Sequence, residues 1–175
     1  MAEVAFLGRP ALAGVGCPYC AALVDPEDAG IVAAQQSWGW VGVAATADGR
    51  LAGRLLVVPA EDRTALVRSL WVAPALVRSG VGTRLVQGVA AGLLRRDLRA
   101  VVAVASRRHP TCQAPPRDFL RAVGFSRGLD EKLWRLDLDL TVVERPRLLT
   151  AFERFVEAIR PVAPPEPAGR ATRES

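Results

Sequence analysis

The spacing of apolar and polar residues predicts most of the regular structure in the middle of the chain. Two apolar runs, Trp40 to Ala45 and Leu51 to Val58, flank Asp48-Gly49, a dipeptide that favours a tight hairpin turn because glycine tolerates positive φ. Pro59 is predicted to end the second run. Ala65 to Val72 is the next apolar run. The pattern therefore predicts a hairpin followed by a third strand.

From Gly80 the period changes from that of a strand to that of a helix. Apolar residues recur every four positions and form one face of a predicted helix: Val81, Leu85, Val89 and Leu93. Ala100 to Ala105 is then a continuous apolar run, which is typical of a strand buried on both faces.

A short helix and a final strand complete the predicted domain. The helix, Asp118 to Val123, follows two prolines and ends at Gly124. Lys132 to Leu140 alternates between apolar and charged residues, which indicates a half-buried strand. The order hairpin, strand, helix, strand, helix, strand predicts the α/β class: a mixed, mostly antiparallel central sheet with flanking helices.

The two ends of the chain are less regular. Residues 1–37 are predicted as a loop and helical segment that carries a Cys-x-x-Cys motif, with a short helix from Asp28 to Ser37. Arg147 to Ile159 is predicted as an amphipathic helix, and the proline-rich residues 161–175 as a disordered tail. We therefore expect a single domain over residues 1–160.

Composition and charge exclude several classes of function. Of the 175 residues, no stretch reaches the roughly 18 apolar residues that a membrane span needs. Met1 to Gly16 lacks the positively charged start of a signal peptide, so a cytoplasmic protein is expected. The net charge of +5 is carried by scattered arginines, so no nucleic-acid partner is expected. A homo-oligomer is compatible with the sequence, which leaves the oligomeric state open.

The segment from Leu70 to Thr83 contains the most informative motif. A strand ends there, a loop follows, and Gly80-Val81-Gly82 opens a helix. The first amides of a helix have no partners within it and favour an anion such as a pyrophosphate, which Arg78 would lie beside. A Rossmann turn would need a small residue at Leu85, and a Walker loop would need a lysine. An ordinary strand-to-helix turn remains a further alternative.

The run from Leu70 to Leu85 resembles the acetyl-coenzyme A motif of the GNAT superfamily of N-acetyltransferases. That motif is a strand of the form Leu-aromatic-Val-x-Pro, a loop, and Arg/Gln-x-x-Gly-x-Gly/Ala opening a long helix. The strand, the proline and both glycines match in register, but Val77 occupies the first basic position and Arg78 follows it. The segment from Phe119 to Phe125 is similar to a later helix of the family and the Gly-Phe after it.

The resemblance implies an N-acetyltransferase that transfers acetyl from acetyl-coenzyme A to an unidentified amine. Pantetheine would lie between the strand of Leu70 and Val72 and the strand of Val101 to Ala105, with an amide near Val72 polarising the thioester. The residues then expected to bind the cosubstrate are Leu70, Val72, Arg78, Ser79, Gly80, Val81, Gly82 and Thr83.

The resemblance does not supply a catalytic acid. The family often places a tyrosine on the later helix, and Leu120 stands there in this chain, whose single tyrosine is Tyr19. Without ranking them, the candidates for proton transfer are Glu61, Asp62, Asp118 and Cys112. An acyl-coenzyme A-binding regulatory or interaction module of low activity is therefore the alternative function.

The cysteines form a second motif. Cys17 and Cys20 are one pair, and His109 and Cys112 are another at the same spacing. Together they form a ligand set suited to tetrahedral zinc. Unrelated thiols and a redox Cys-x-x-Cys pair remain alternatives, although the thioredoxin-like context for a redox pair is missing.

Overall fold

The computed structural model describes residues 2–106, 110–128 and 132–138. Within them the chain forms one sheet whose strands lie in the order β1-β2-β3-β4-β5-β7-β6. The strands are β1 (Glu3–Leu7), β2 (Gly42–Ala47), β3 (Arg50–Ala60), β4 (Thr64–Val72), β5 (Ala100–Val104), β6 (Ser126–Arg127) and β7 (Leu133–Asp137). The helices are α1 (Ala29–Trp38), α2 (Val81–Leu94) and α3 (Arg117–Ala122).

The sheet is antiparallel at every pair of strands except β4 and β5. These two are parallel and pair only from Thr64 to Leu66 of β4 with Ala100 to Val102 of β5. The remainder of β4 continues to Val72 without a strand partner on that side. The predicted mixed, mostly antiparallel sheet is confirmed, and an opening, here called the β4–β5 gap, lies beside the end of β4.

Helix α2 packs its predicted apolar face into the core. Its side chains at the four predicted positions are all buried: Val81, Leu85, Val89 and Leu93. A Cβ on Gly53 of β3 would lie 3.1 Å from both Leu85 and Val81. The glycine therefore lets the helix approach the sheet closely, which fixes where α2 begins relative to β4.

The turns and caps follow the local sequence. Asp48 and Gly49 have φ angles of 51° and 72°, so the predicted hairpin turn is confirmed and has both central residues in the left-handed region. The Asp28 carboxylate accepts hydrogen bonds from the amides of Gly30 and Ile31 at 3.0 and 3.3 Å. Asp28 is thus the N-cap of α1 rather than its first residue.

Two predictions about strands need correction. Strand β3 does not end at Pro59 but runs through it to Ala60. The amide of Val57 donates to the carbonyl oxygen of Val41. The nitrogen of Pro59, two residues later, points to the same side of β3. At that point β3 has already passed the last residue of β2 that pairs with it, Gly42. No ladder hydrogen bond is lost there. The N-terminal segment, predicted as loop and helix, also contributes the edge strand β1.

Part of the prediction lies outside the described residues. This applies to the helix predicted from Arg147 to Ile159, to the tail at 161–175, and to the last two positions of the strand predicted to end at Leu140. Across the ranges that the structure does describe, no helix is long and apolar enough to cross a membrane.

Candidate functional site

The turn between β4 and α2 presents free backbone amides. Gly80 is the N-cap of α2 with a φ of 86°, and no side chain caps the helix. The Arg84 amide donates to Gly80 O at 3.1 Å, so the amides of Val81, Gly82 and Thr83 precede the first helical hydrogen bond and have no acceptor within the helix. Arg78, with a φ of 66°, lies just before this end of the helix. The geometry is that of an anion site.

The fold requires a glycine at position 80 and at position 82 of the motif for two different reasons. Gly80 needs its positive φ to begin the helix. Gly82 needs its small size, because a Cβ there would lie 2.9 Å from a ring carbon of Phe119 on α3. The small size of Gly82 therefore lets α3 pack against the start of α2, and its backbone amide stays a predicted contact of the cosubstrate.

The β4–β5 gap opens next to this turn as a mainly apolar cavity of about 320 Å³. The amide of Ala73 donates a hydrogen bond to the carbonyl oxygen of Ala52 on β3. Because successive amides of a strand point in opposite directions, the Val72 amide faces the gap. The cavity is lined by Tyr19, Leu70, Trp71, Val72, Val77, Pro110, Thr111, Cys112, Pro115, Pro116 and Phe119.

Two contacts from other segments reach the free edge of β4 inside this gap. The Leu70 amide donates to Cys112 O at 2.6 Å, and the Tyr19 hydroxyl donates to Val72 O at 2.7 Å. The loop after β5 and the N-terminal loop therefore meet at the part of β4 that β5 does not pair with.

The comparisons with known proteins agree with the fold. Residues 18–125 match the acetyltransferase (GNAT) family. The chain belongs to the GNAT family. Similar solved structures include Ard1 from Thermoplasma volcanium, at a TM-score of 0.56 and 14% identity over 77% of this chain and 94% of that one. PaiA N-acetyltransferase from Thermoplasma acidophilum, in complex with coenzyme A, gives 0.56 and 15% over 78% and 99%. IAA acetyltransferase from Bacillus cereus gives 0.55 and 12% over 78% and 99%.

Tyr19 is a functional candidate of this GNAT protein whose contact with the end of β4 the sequence did not predict. Leu120, at the position where the family often has a tyrosine, is 1% exposed in the core. The one tyrosine of the chain instead reaches the gap from the N-terminal loop. The only signal in the sequence was that Tyr19 is the single tyrosine. Its contact with Val72 joins residues 53 positions apart, so no local sequence pattern predicts it.

The four proton carriers considered from the sequence do not gather in the gap. Glu61 and Asp62 lie in the turn before β4, and β4 is 9 residues long, which puts them about 25 Å from Val72 at roughly 3.3 Å per residue. Asp118 is exposed and pairs with Arg121 at 3.5 Å. Of the four, Cys112 alone lines the gap.

Cys112 is poorly suited to proton transfer near neutral pH. Burial, followed by hydrogen bonds with the neighbouring cysteines, raises the pKa of the Cys112 thiol to about 12. Cys20 behaves oppositely, because a hydrogen bond from the backbone of Ala22, together with Cys112 and Cys17, lowers the pKa of its thiol. Cys112 is therefore not retained as a candidate acid.

The structure brings three of the four predicted zinc ligands together. The sulfurs of Cys17, Cys20 and Cys112, here called the cysteine cluster, all lie within 4.8 Å of one another. Those of Cys20 and Cys112 are 3.6 Å apart. His109, the fourth predicted ligand, lies outside the described residues, so its part stays a prediction.

A larger cavity of about 730 Å³ lies on the other side of α3. Arg117 and Arg121 of α3 line it, whereas Phe119 of the same helix lines the β4–β5 gap. This cavity is more polar than the gap and does not include the end of β4, whereas the smaller cavity lies next to the amides at the start of α2.

Proposed function

We propose that this protein is an N-acetyltransferase that transfers the acetyl group of acetyl-coenzyme A to an amine. The observation that carries the proposal is the juxtaposition of the free amides at Val81 to Thr83 with an apolar gap into which the Val72 amide points. Membership of the GNAT family supports the same donor. A substrate with a pyrophosphate at one end and a thioester on an extended arm fits both features.

The anionic end of the cosubstrate would be held by the turn. The amides at the start of α2 and the positive end of its helix dipole favour a pyrophosphate, and the Arg78 guanidinium adds a charge-assisted contact. The proposed contact residues are those expected from the sequence: Arg78, Ser79, Gly80, Val81, Gly82 and Thr83. No acidic residue lies in the first turn of α2 to oppose this binding.

The pantetheine arm would follow the free edge of β4 past Leu70 and Val72. An arm amide that donates to Val72 O would replace the Tyr19 hydroxyl there and free that hydroxyl to donate elsewhere. The Val72 amide would donate to the thioester oxygen and stabilise the negative charge that develops on it. The apolar lining would exclude water and strengthen this hydrogen bond.

Transfer then forms the N–C bond, breaks the C–S bond, and moves one proton from nitrogen to sulfur. The neutral acceptor nitrogen attacks the thioester carbon, and the electron pair of the C=O bond moves to the oxygen that faces the Val72 amide. When the carbonyl reforms, the C–S bond breaks and the sulfur leaves with the bonding pair. We assign the proton that the sulfur takes up to the Tyr19 hydroxyl, and the proton lost by the nitrogen restores that hydroxyl, either directly or through solvent.

The lining of the gap also limits the acceptor. Among the described residues that form it there is no carboxylate and no histidine to remove a proton from an ammonium group. At pH 7 about one in seven α-amines is neutral, against about one in 2,500 lysine side chains. We therefore propose an acceptor amine of low pKa, such as an α-amine or an aromatic amine, rather than a lysine side chain.

A coenzyme A release assay over a panel of amines tests this function. We expect release with α-amino esters or aromatic amines, and a kcat/KM at pH 7 at least about tenfold lower for N-acetyl-lysine amide, because so little of it is neutral. For the lysine derivative, kcat/KM should keep rising about tenfold per pH unit through pH 9. A plateau near pH 7 would instead show a base on the enzyme.

The same assay separates the proposal from its alternative. Leu120, buried where a tyrosine is frequent in the family, favours a module that binds acyl-coenzyme A without turnover. Binding of acetyl-coenzyme A with no release above the uncatalysed rate, for any amine of the panel, would support that module and contradict the enzyme.

A further inference from the structure

The cysteine cluster has the spacing of a metal-thiolate centre. Zinc–sulfur bonds of about 2.3 Å in a tetrahedron place the sulfurs about 3.8 Å apart. The Cys20 and Cys112 sulfurs are 3.6 Å apart, and Cys17 lies within 4.8 Å of both. A disulfide, by contrast, needs about 2.05 Å and joins only two sulfurs. Three sulfurs around one point are better explained by a shared ion.

The local backbone already donates to these sulfurs. The Tyr19 amide donates to Cys17 Sγ at 3.4 Å. Directly after Cys20 the backbone turns at Ala21, which has a φ of 56° and whose amide donates to Cys17 O at 2.8 Å. Amide hydrogen bonds to sulfur are the outer contacts that orient thiolate ligands and stabilise their charge. The loop from Cys17 to Cys20 is thus shaped to direct both sulfurs to one side.

A buried arginine beside the cluster supplies the second observation. Arg54 is 2% exposed, and one of its nitrogens donates to Val15 O at 3.2 Å. No carboxylate pairs with it among the described residues, and it lines the same cavity as Cys17 and Cys112. A buried cation normally has an anionic partner. A divalent ion with three thiolates carries one net negative charge and would be that partner.

Unpaired donors point to the same place. Within the described residues, Arg54 Nε, Ser69 Oγ and Trp71 Nε1 are buried without a hydrogen-bond partner. All three residues line a cavity of about 190 Å³ together with Cys17 and Cys112. Buried donors left without a partner destabilise the folded state, and an anionic thiolate centre beside this cavity would give them acceptors.

We propose that Cys17, Cys20 and Cys112 form a binding site for a soft divalent metal ion, zinc first, which lies in the wall of the β4–β5 gap. Thiolate ligands select zinc over the hard cations magnesium and calcium. The site goes beyond acetyl transfer, and no reacting group is assigned to it.

The position of the site predicts what the ion would do. Tyr19 lies in the sequence between the ligands Cys17 and Cys20, and its hydroxyl donates to Val72 O. The carbonyl oxygen of the third ligand, Cys112, accepts a hydrogen bond from the Leu70 amide. One ion would therefore hold the N-terminal loop and the loop after β5 together across the free edge of β4. Its loss should loosen both loops at once, because metal binding in such a site contributes to folding free energy.

Elemental analysis of protein purified without chelator tests the proposal. We expect about one zinc per chain in the wild type and in the matched control Gln113→Ala, which changes the neighbour of a ligand but removes no sulfur. Cys20→Ser, a change at an exposed position, should retain less than about a fifth of that content. Equal zinc in Cys20→Ser and the control would overturn the site.

A cobalt experiment on the wild type does not depend on any variant. After chelation and reconstitution with cobalt(II), a thiolate-to-cobalt charge-transfer absorption should appear at one equivalent, and hydrogen exchange at residues 17–22 and 111–114 should slow together. Absence of both changes would contradict the proposal. So would a stable Cys20–Cys112 disulfide in freshly purified protein, seen as a mass loss of two hydrogens.

Discussion

Replacing Thr83 with aspartate is expected to weaken acetyl-coenzyme A binding by at least about 100-fold without destabilising the fold. Thr83 is exposed in the first turn of α2. A carboxylate there would compete for the free amides and repel the pyrophosphate. The same carboxylate interacts favourably with the helix dipole, by about 0.3–1 kcal/mol, so the melting temperature should stay the same or rise. Calorimetric titration and thermal unfolding measure the two effects.

The neutral variant Thr83→Asn is the matched control. It has nearly the same size as aspartate and lacks the charge, so its dissociation constant should stay within about threefold of the wild type. If Thr83→Asp binds acetyl-coenzyme A as tightly as Thr83→Asn, the pyrophosphate does not lie at the start of α2. This pair changes only the charge at the start of α2. Any substitution of Gly82 would also disturb the packing of α3, because a side chain there would collide with Phe119.

Replacing Tyr19 with phenylalanine should lower kcat by about 10- to 100-fold, toward the lower end of the effects seen for general acids. The lower end is expected because a thiolate is a fairly good leaving group, with a thiol pKa of about 8.5. The apolar ring remains in the gap, so the dissociation constant of acetyl-coenzyme A should change by less than about threefold. Steady-state kinetics and calorimetry together measure this separation of kcat from affinity.

Leu23→Ala provides the comparison for that variant. Leu23 lies in the same N-terminal loop, is 66% exposed and does not line the β4–β5 gap, so its replacement should leave kcat nearly unchanged. An unchanged kcat in Tyr19→Phe would remove the tyrosine from the reaction. A parallel fall of kcat and affinity would show that its hydroxyl only supports the shape of β4.

The elements that the sequence predicted well are those whose pattern is local. The hairpin at Asp48-Gly49 and the face of α2 from Val81 to Leu93 depend on turn chemistry and on a repeat that is visible in a few residues. The strand-to-helix turn was predicted in register for the same reason. These features define where the anionic end of a cosubstrate would lie.

The features that escaped the sequence depend on contacts between distant segments. β1 has five residues at the edge of the sheet and is defined by its pairing with β2 rather than by a strong alternation. The Tyr19 hydroxyl meets Val72 across 53 residues, and the unpaired donors of Arg54 and Trp71 appear only when burial is known. The end of β3 was wrongly predicted at Pro59 because the sequence does not show to which neighbouring strand the nitrogen of Pro59 points.

The cysteine pairs lie between these two cases. Their ligand types and spacing suggested that the pairs meet, and this is confirmed for Cys17, Cys20 and Cys112. The sequence could not show that their neighbour would be the buried cation of Arg54, because Arg54 belongs to a strand with an otherwise apolar inner face. That neighbour, together with the spacing, is why we propose a thiolate centre rather than three unrelated thiols.

Amide hydrogen exchange with and without acetyl-coenzyme A tests the central claim most directly, because the claim concerns particular backbone amides. The account predicts slower exchange at Val72 and at Val81 to Thr83 when the cosubstrate is bound, with little change at the turn of Glu61 and Asp62 at the far end of β4. Binding that leaves the amides of Val72 and of Val81 to Thr83 unprotected, or protection confined to other segments, would contradict it.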